Sequence, residues 1–115
     1  MSQPCLFCKI VAKEIPADVV FENADVVAFR DIHPAAPTHI LVIPREHLSG
    51  LQDAKAEHAA LLGRTLASAA QVAQEQGLVR DGFRTVINTG PNAGQTVFHL
   101  HVHLLAGRAL AWPPG

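Results

Sequence analysis

Three histidines stand at alternate positions in an otherwise apolar run, Val97-Phe-His-Leu-His-Val-His-Leu-Leu105. Extended backbone points successive side chains to opposite faces. A strand through this run gathers His99, His101 and His103 on one face and Leu100, Val102 and Leu104 on the other. The apolar row can enter a core at little cost. A row of imidazoles cannot, because each ring nitrogen removed from water needs a partner. Three such rings point to metal binding or to phosphate chemistry, since imidazole, with an ordinary pKa of about 6.5, can be ligand, nucleophile or acid near neutral pH. The loop before them, Thr89-Gly-Pro-Asn-Ala-Gly-Gln95, offers Gly94 for close backbone approach to an anion, with neutral donors at Gln95 and Thr96. Cys5 and Cys8, the two cysteines of the chain, are spaced Cys-x2-Cys. That spacing suits a metal knuckle or a redox pair; for zinc, His47 and one histidine of the triad can complete four ligands.

The elements that must position these groups follow from pattern. Residues 5–13 read as a short helix, with Phe7, Ile10 and Val11 at helical spacing and Pro16 ending it. Val19–Phe21 and Val26–Phe29 read as strands joined by a hairpin turn at Glu22–Asp25, and 31–38, with its two prolines, as a loop. His39–Ile43 is a strand stopped by Pro44. Asp53–Gln76 is the one long helix, with Asp53 as N-cap, an apolar stripe of Leu61, Leu62, Leu66, Ala69, Val72 and Ala73, and Gly77 just beyond its end. Arg84–Asn88 is a fourth strand, and the histidine run is the fifth. Strands linked by short turns predict an antiparallel sheet with helices packed on it, in the α+β class.

Composition narrows the possible partners. A chain of 115 residues, 49% hydrophobic and 17% charged, fits one globular domain with a real core. Its net charge of -1, without a basic block, argues against a nucleic-acid-coating protein but not against a small nucleotide. No stretch reaches the ~18–20 apolar residues of a membrane span. Met1–Cys5 lacks a signal peptide's basic-then-apolar layout. These features predict a cytoplasmic protein with reduced thiols and no membrane partner.

The run His99-Leu-His-Val-His-Leu-Leu105 resembles the signature of the histidine triad (HIT) superfamily. The likeness extends through Phe7–Ile10, Glu14–Pro16, Ala28–Ile32, Ala36–Pro44, Gly94–Phe98 and Trp112–Gly115. It is closest to the Hint branch of nucleotide-binding proteins. The resemblance implies a single HIT domain over 1–115, with a five-stranded antiparallel sheet, one long helix and one short helix. It also implies a homodimer whose long helices and fourth strands meet, joining two sheets into one of ten strands. The implied activity is hydrolysis of the P–N bond of purine nucleoside 5′-phosphoramidates through a nucleotidyl-histidine intermediate, with AMP, GMP and adenosine phosphoramidates as ligands. Its rivals are a dinucleoside polyphosphate hydrolase, a nucleotide-binding interaction module with weak catalysis, and a protein whose three triad histidines hold one ion.

Carried onto this chain, the resemblance makes His101 the nucleophile and places His103 on phosphate oxygens. His39 is the fourth histidine, expected to hydrogen-bond His101 and orient its ring. Thr96 stands near the leaving group, where the family commonly has Ser. Asp31 is expected at the ribose hydroxyls, Asn88 at phosphate or ribose, and Gly94 and Gln95 at the phosphate. Phe7, Ile10, Phe29 and Ile32 form the slot for the base. Cys5, Cys8, His47 and His99 are the implied ligands of a structural Zn2+, and no organic cofactor is implied. His33 and His58 have no partner in this scheme. Trp112 reads as a C-terminal anchor, with Ala111 where some relatives carry a polar side chain.

Overall fold

The computed structural model describes residues 5–115, so the reading of Met1–Pro4 as lacking a leader's layout lies outside the described residues. Five strands, β1 (Val19–Glu22), β2 (Val26–Arg30), β3 (Thr38–Pro44), β4 (Phe83–Val86) and β5 (Val102–Ala106), form one antiparallel sheet in the order β1-β2-β3-β5-β4. Helix α1 (Leu6–Val11) covers one face and helix α2 (Ala59–Glu75) the other. No helix among the described residues is long and apolar enough to cross a membrane.

Local chemistry explains most boundaries. The Asn23 side-chain oxygen accepts the N–H groups of Asp25 and Val26 at 2.9 and 2.8 Å, closing the β1–β2 hairpin. Cys5 caps α1, its sulfur accepting the Cys8 N–H at 3.3 Å. Lys13, left-handed at φ 61°, ends that helix, so it stops short of the expected 5–13. The sheet's central strands are buried on both faces. Val26, Ala28, Ile40, Val42, Val102 and Leu104 meet Ala69, Val72 and Ala73 of α2 on one side. On the other, Val27, Phe29, Leu41 and Ile43 pack under Phe7 of α1.

Four sequence expectations are corrected. The long helix starts at Ala59, not Asp53, because Ala54 and Lys55 are extended and the Asp53 carboxylate binds the Ser49 hydroxyl instead of capping. His58 does have a partner: its Nδ1 accepts the Lys55 N–H at 2.9 Å. The predicted apolar stripe is only half used. Small residues, Thr65, Ser68, Ala69 and Ala73, let α2 lie close on the sheet, while Leu66 stays 47% exposed. Strand β4 ends before Ile87 and leaves Asn88 in a loop.

The fifth strand begins at Val102, later than the histidine pattern suggested. It pairs with β3 from Val42↔Val102 to Thr38↔Ala106. Beyond that register stands Pro44, which has no N–H to donate. Its carbonyl accepts from the His99 ring at 2.8 Å, and the Leu100 N–H turns to Leu48 O at 2.6 Å. The chain therefore leaves the ladder at His101. His103 lies in the strand, and His99 and His101 lie in the segment leading into it.

Candidate active site and metal centre

Phe7 stands at the junction of two sites. Its ring lies edge-on to His101, centroids 5.1 Å apart, to His99 at 6.0 Å and to Phe29 at 5.4 Å. On the His101 side opens a groove of about 440 Å³. It is lined by Phe7, Ile10, Phe29, Asp31, Ile32, Thr96, His101 and His103, eight of the residues expected to bind nucleotide or act on it. Ile32 is 86% exposed and forms the rim rather than a wall. Sequence reasoning missed Leu6, Ile15, Ala17, Leu41 and Val97, which also line the groove. Leu41 carried a signal: it stands two residues after His39 and directly opposite His103 and Phe29.

Hydrogen bonds assign the tautomers of the rings. His101 Nδ1 lies 2.7 Å from the His99 carbonyl. A carbonyl can only accept, so Nδ1 carries the proton and Nε2 keeps its lone pair. A second chain starts at Ala35, whose N–H donates to His39 Nδ1 at 3.0 Å. That leaves the neutral ring's proton on His39 Nε2, which donates to His103 Nδ1 at 2.9 Å. His103 in turn holds its proton on Nε2 as a neutral donor. The expected bond from His39 to His101 is thus corrected: His39 stands opposite Leu105 in the β3–β5 register, diagonal to His103, and its ring bonds that neighbour. Asp31 Oδ2 is 3.5 Å from His39 Nε2, and Asp31 Oδ1 accepts the His33 N–H at 2.8 Å, so Asp31 both shapes its turn and borders the groove.

Asn88, Gly94 and Gln95 are not among the residues lining the groove. Gly94 is exposed at φ 82°, a left-handed position that suits glycine, and ends a short 3-10 turn over Pro91–Ala93. Gln95 is buried and its side chain is fully engaged. It donates to Ser49 O at 2.8 Å and to Val97 O at 3.3 Å, and accepts the Gly90 N–H at 3.0 Å. It braces the loop instead of presenting a donor to ligand. Trp112 is 80% exposed, so within one chain it anchors nothing. Arg84 holds the tail instead, donating to the carbonyls of Leu110 and Ala111.

On the other side of Phe7, Cys5, Cys8, His47 and His99 bring their ligand atoms within 4.8 Å of one another. His99 is fully buried and its Nε2–H is given to Pro44 O, so Nδ1 offers a lone pair to the cluster. Such a second bond from a ligating imidazole is the usual way its orientation is held. His99 Nδ1 is 3.5 Å from each sulfur and 3.3 Å from His47 Nδ1, and Cys8 Sγ is 3.4 Å from His47 Nδ1. A tetrahedral zinc with bonds of ~2.05 Å to nitrogen and ~2.3 Å to sulfur sets N···N edges of about 3.3 Å and N···S edges of about 3.6 Å. The donor set fits that ion. With no cation, burial first, then the hydrogen bond and charge of Cys5, push the Cys8 thiol up to about 11. A bound cation opposes this, because thiolate is the ligating form.

The other close group, Asp31, His39 and His103, has comparable spacing but the wrong protons. The Ala35 N–H occupies the lone pair of His39 Nδ1, leaving Nε2 protonated and unable to ligate. Its part in the site is that of a hydrogen-bond chain.

Burial first, then the neighbouring imidazoles of His101 and His39, which disfavour a further charge beside them, push His103 down to about 4, and burial lowers His39 too. Both rings therefore stay neutral near pH 7. The unfolded chain binds their protons near pH 6.5, before the folded chain does, so stability rises with pH between about 4 and 6.5 and is lost as pH falls through that window. In His103→Asn, urea unfolding at pH 7 and pH 5 will show a smaller stability loss than wild type. Equal losses would reject a buried neutral His103.

Comparison with known proteins agrees with this geometry. The HIT domain family matches residues 12–110. The chain is 54% identical over 114 residues to a 14 kDa zinc-binding protein of Zea mays, covering 97% of this chain and 88% of that one. It is 46% identical over 110 residues to the purine nucleoside phosphoramidase of Escherichia coli, covering 96% and 92%. The crystal structure of a HIT family hydrolase from Legionella pneumophila superposes with a TM-score of 0.94 at 50% identity, covering 96% of this chain and 99% of that one. A match this complete, on a groove built around a triad of imidazoles, shows that the chain belongs to the histidine triad family and is one of its nucleotide hydrolases.

Proposed function

We propose that the protein cleaves the P–N bond of purine nucleoside 5′-phosphoramidates through a nucleotidyl-histidine intermediate. The observation that carries this reading is the 2.7 Å bond from His101 Nδ1 to the His99 carbonyl, which leaves an unprotonated Nε2 on a groove of nucleotide size. Phe7, Ile10 and Phe29 take the base, with Ile32 at the rim, and such apolar walls stack either purine. Asp31 accepts from the ribose hydroxyls. His101 Nε2 attacks the α-phosphorus, forming an N–P bond as the bond to the amine breaks. The amine leaves with that electron pair and gains a proton from solvent or through the Thr96 hydroxyl. His103, a neutral Nε2–H donor, stabilises the charge that grows on the phosphate oxygens. Water then attacks phosphorus, the His101–P bond breaks and the nucleoside monophosphate departs. His39 holds His103 in the donating tautomer. Asn88 and Gly94 act, in this reading, only if the loop 87–95 closes on bound ligand.

The four-ligand cluster is read as a structural Zn2+ site: Cys5, Cys8, His47 and His99 fill a tetrahedron and leave no coordination position for substrate. The solvent-facing Leu66 and the open edge of β4 support a homodimer joined along α2 and β4.

With a fluorogenic adenosine phosphoramidate, His101→Ala will lose at least about a thousandfold in kcat while still binding AMP. Robust turnover by that variant would reject the covalent route. Elemental analysis after chelator-free, reducing purification will find one zinc per chain, and His47→Ala will lower that content; a zinc-free wild type rejects the site. Light scattering will give about twice the 12.3 kDa chain mass, and Leu66→Glu will shift it toward monomer. A monomeric wild type would reject the dimer.

A further inference from the structure

The metal cluster and the nucleophile share one residue. The His99 ring faces both sulfurs at 3.5 Å, and the His99 carbonyl accepts the His101 Nδ1–H at 2.7 Å. A second route runs through α1. Phe7 lies between Cys5 and Cys8 in sequence, and its ring packs on both His99 and His101 while lining the groove. The two sulfurs thus sit one step from the tautomer and the packing of the attacking ring. Neither cysteine is buried, and they are three residues apart at the start of a helix. Residues three apart on a helix lie about 5 Å from each other, within the Cα separation that a disulfide spans.

We propose that the Cys5–Cys8 pair is a site of reversible oxidation by peroxide, and that closing it to a disulfide disarms His101. One thiolate attacks a peroxide oxygen, breaking the O–O bond and giving a sulfenic acid and hydroxide. The second thiolate attacks that sulfur and expels another hydroxide as the S–S bond forms. Two thiolates and one hydrogen peroxide become one disulfide and two hydroxides: sulfur loses two electrons and peroxide oxygen gains them. The cluster loses both anionic ligands, and two imidazoles alone cannot retain the cation. Drawing the sulfurs to ~2.05 Å of each other pulls them off His99 Nδ1 and shifts Phe7. The His99 carbonyl and the Phe7 ring, which together hold His101, move with them. A thiol reductant and the cation restore the active state.

The inference rests on the zinc and phosphoramidase readings above, and its test separates the three. Zinc-loaded protein is treated with equimolar hydrogen peroxide. Intact mass after thiol alkylation reports the disulfide, a chromophoric chelator reports released zinc, and the 15N shifts of His101 report its tautomer. Expected are loss of two thiols, zinc release, a fall in kcat of about tenfold or more with a smaller change in KM, and a mixed His101 tautomer, all reversed by dithiothreitol with zinc. The double variant Cys5→Asp with Cys8→Asp keeps two anionic ligands but no thiol, and its zinc and kcat will be indifferent to peroxide. His47→Gln, altered only at an exposed ligand, gives a folded low-zinc state in which the His101 tautomer will also be mixed. The proposal is overturned if the disulfide forms and zinc leaves while kcat and the His101 shifts stay unchanged. It is equally overturned if the double variant Cys5→Asp with Cys8→Asp is inactivated by peroxide as fully as wild type. Untreated enzyme without phosphoramidase turnover would sink the functional reading alone, since thiol, zinc and 15N measurements still decide this one.

Discussion

The hydrogen bond from His101 Nδ1 to the His99 carbonyl, 2.7 Å long and shielded from water, is the constraint on which the site depends. An imidazole free in solution exchanges its proton between two nitrogens. A backbone carbonyl accepts and never donates, so it selects one tautomer and leaves the lone pair on the other nitrogen. Everything around His101 serves to keep that carbonyl in place. The Pro44 carbonyl restrains the His99 ring, the Leu48 carbonyl takes the next amide, and Phe7 closes over both rings.

The same rule, a backbone group that can only accept or only donate, sets the second chain. An amide at Ala35 dictates the protons of His39 and His103 in turn. Neutral donors placed where phosphate charge will grow need no reorganisation when it does. Their neutrality comes chiefly from burial against the sheet, which makes a protonated ring there unfavourable. One sheet therefore does two jobs. Its α2 face is an ordinary apolar core, and its α1 face supports polar rings whose every buried nitrogen has a partner.

Much of this was legible in residue order. Alternation placed His103 opposite the Val102 and Leu104 face, and the Asn23 turn, the prolines at 16 and 44 and the long helical period outlined the elements. The resemblance to histidine triad proteins supplied the ligand grouping of Cys5, Cys8, His47 and His99, and the structure brings those atoms together. What failed were local rules overridden by neighbours. Asp53 did not cap because Ser49 had its carboxylate, Gln95 did not face ligand because three backbone groups had its amide, and the α2 leucines were not all spent on the sheet.

By itself the sequence determined the chemistry at hand: which residue types exist, which share a strand face, and which could ligate zinc. Those are consequences of side-chain identity and of the two-residue repeat of extended chain. Only the tertiary structure decided which nitrogen of each ring carries the proton, which histidine meets His39, and that the strand begins only after His101. Each of these turns on a partner far away in sequence, above all the carbonyl of a proline that cannot continue the ladder. Tautomers are set by contacts, and contacts are made by the fold.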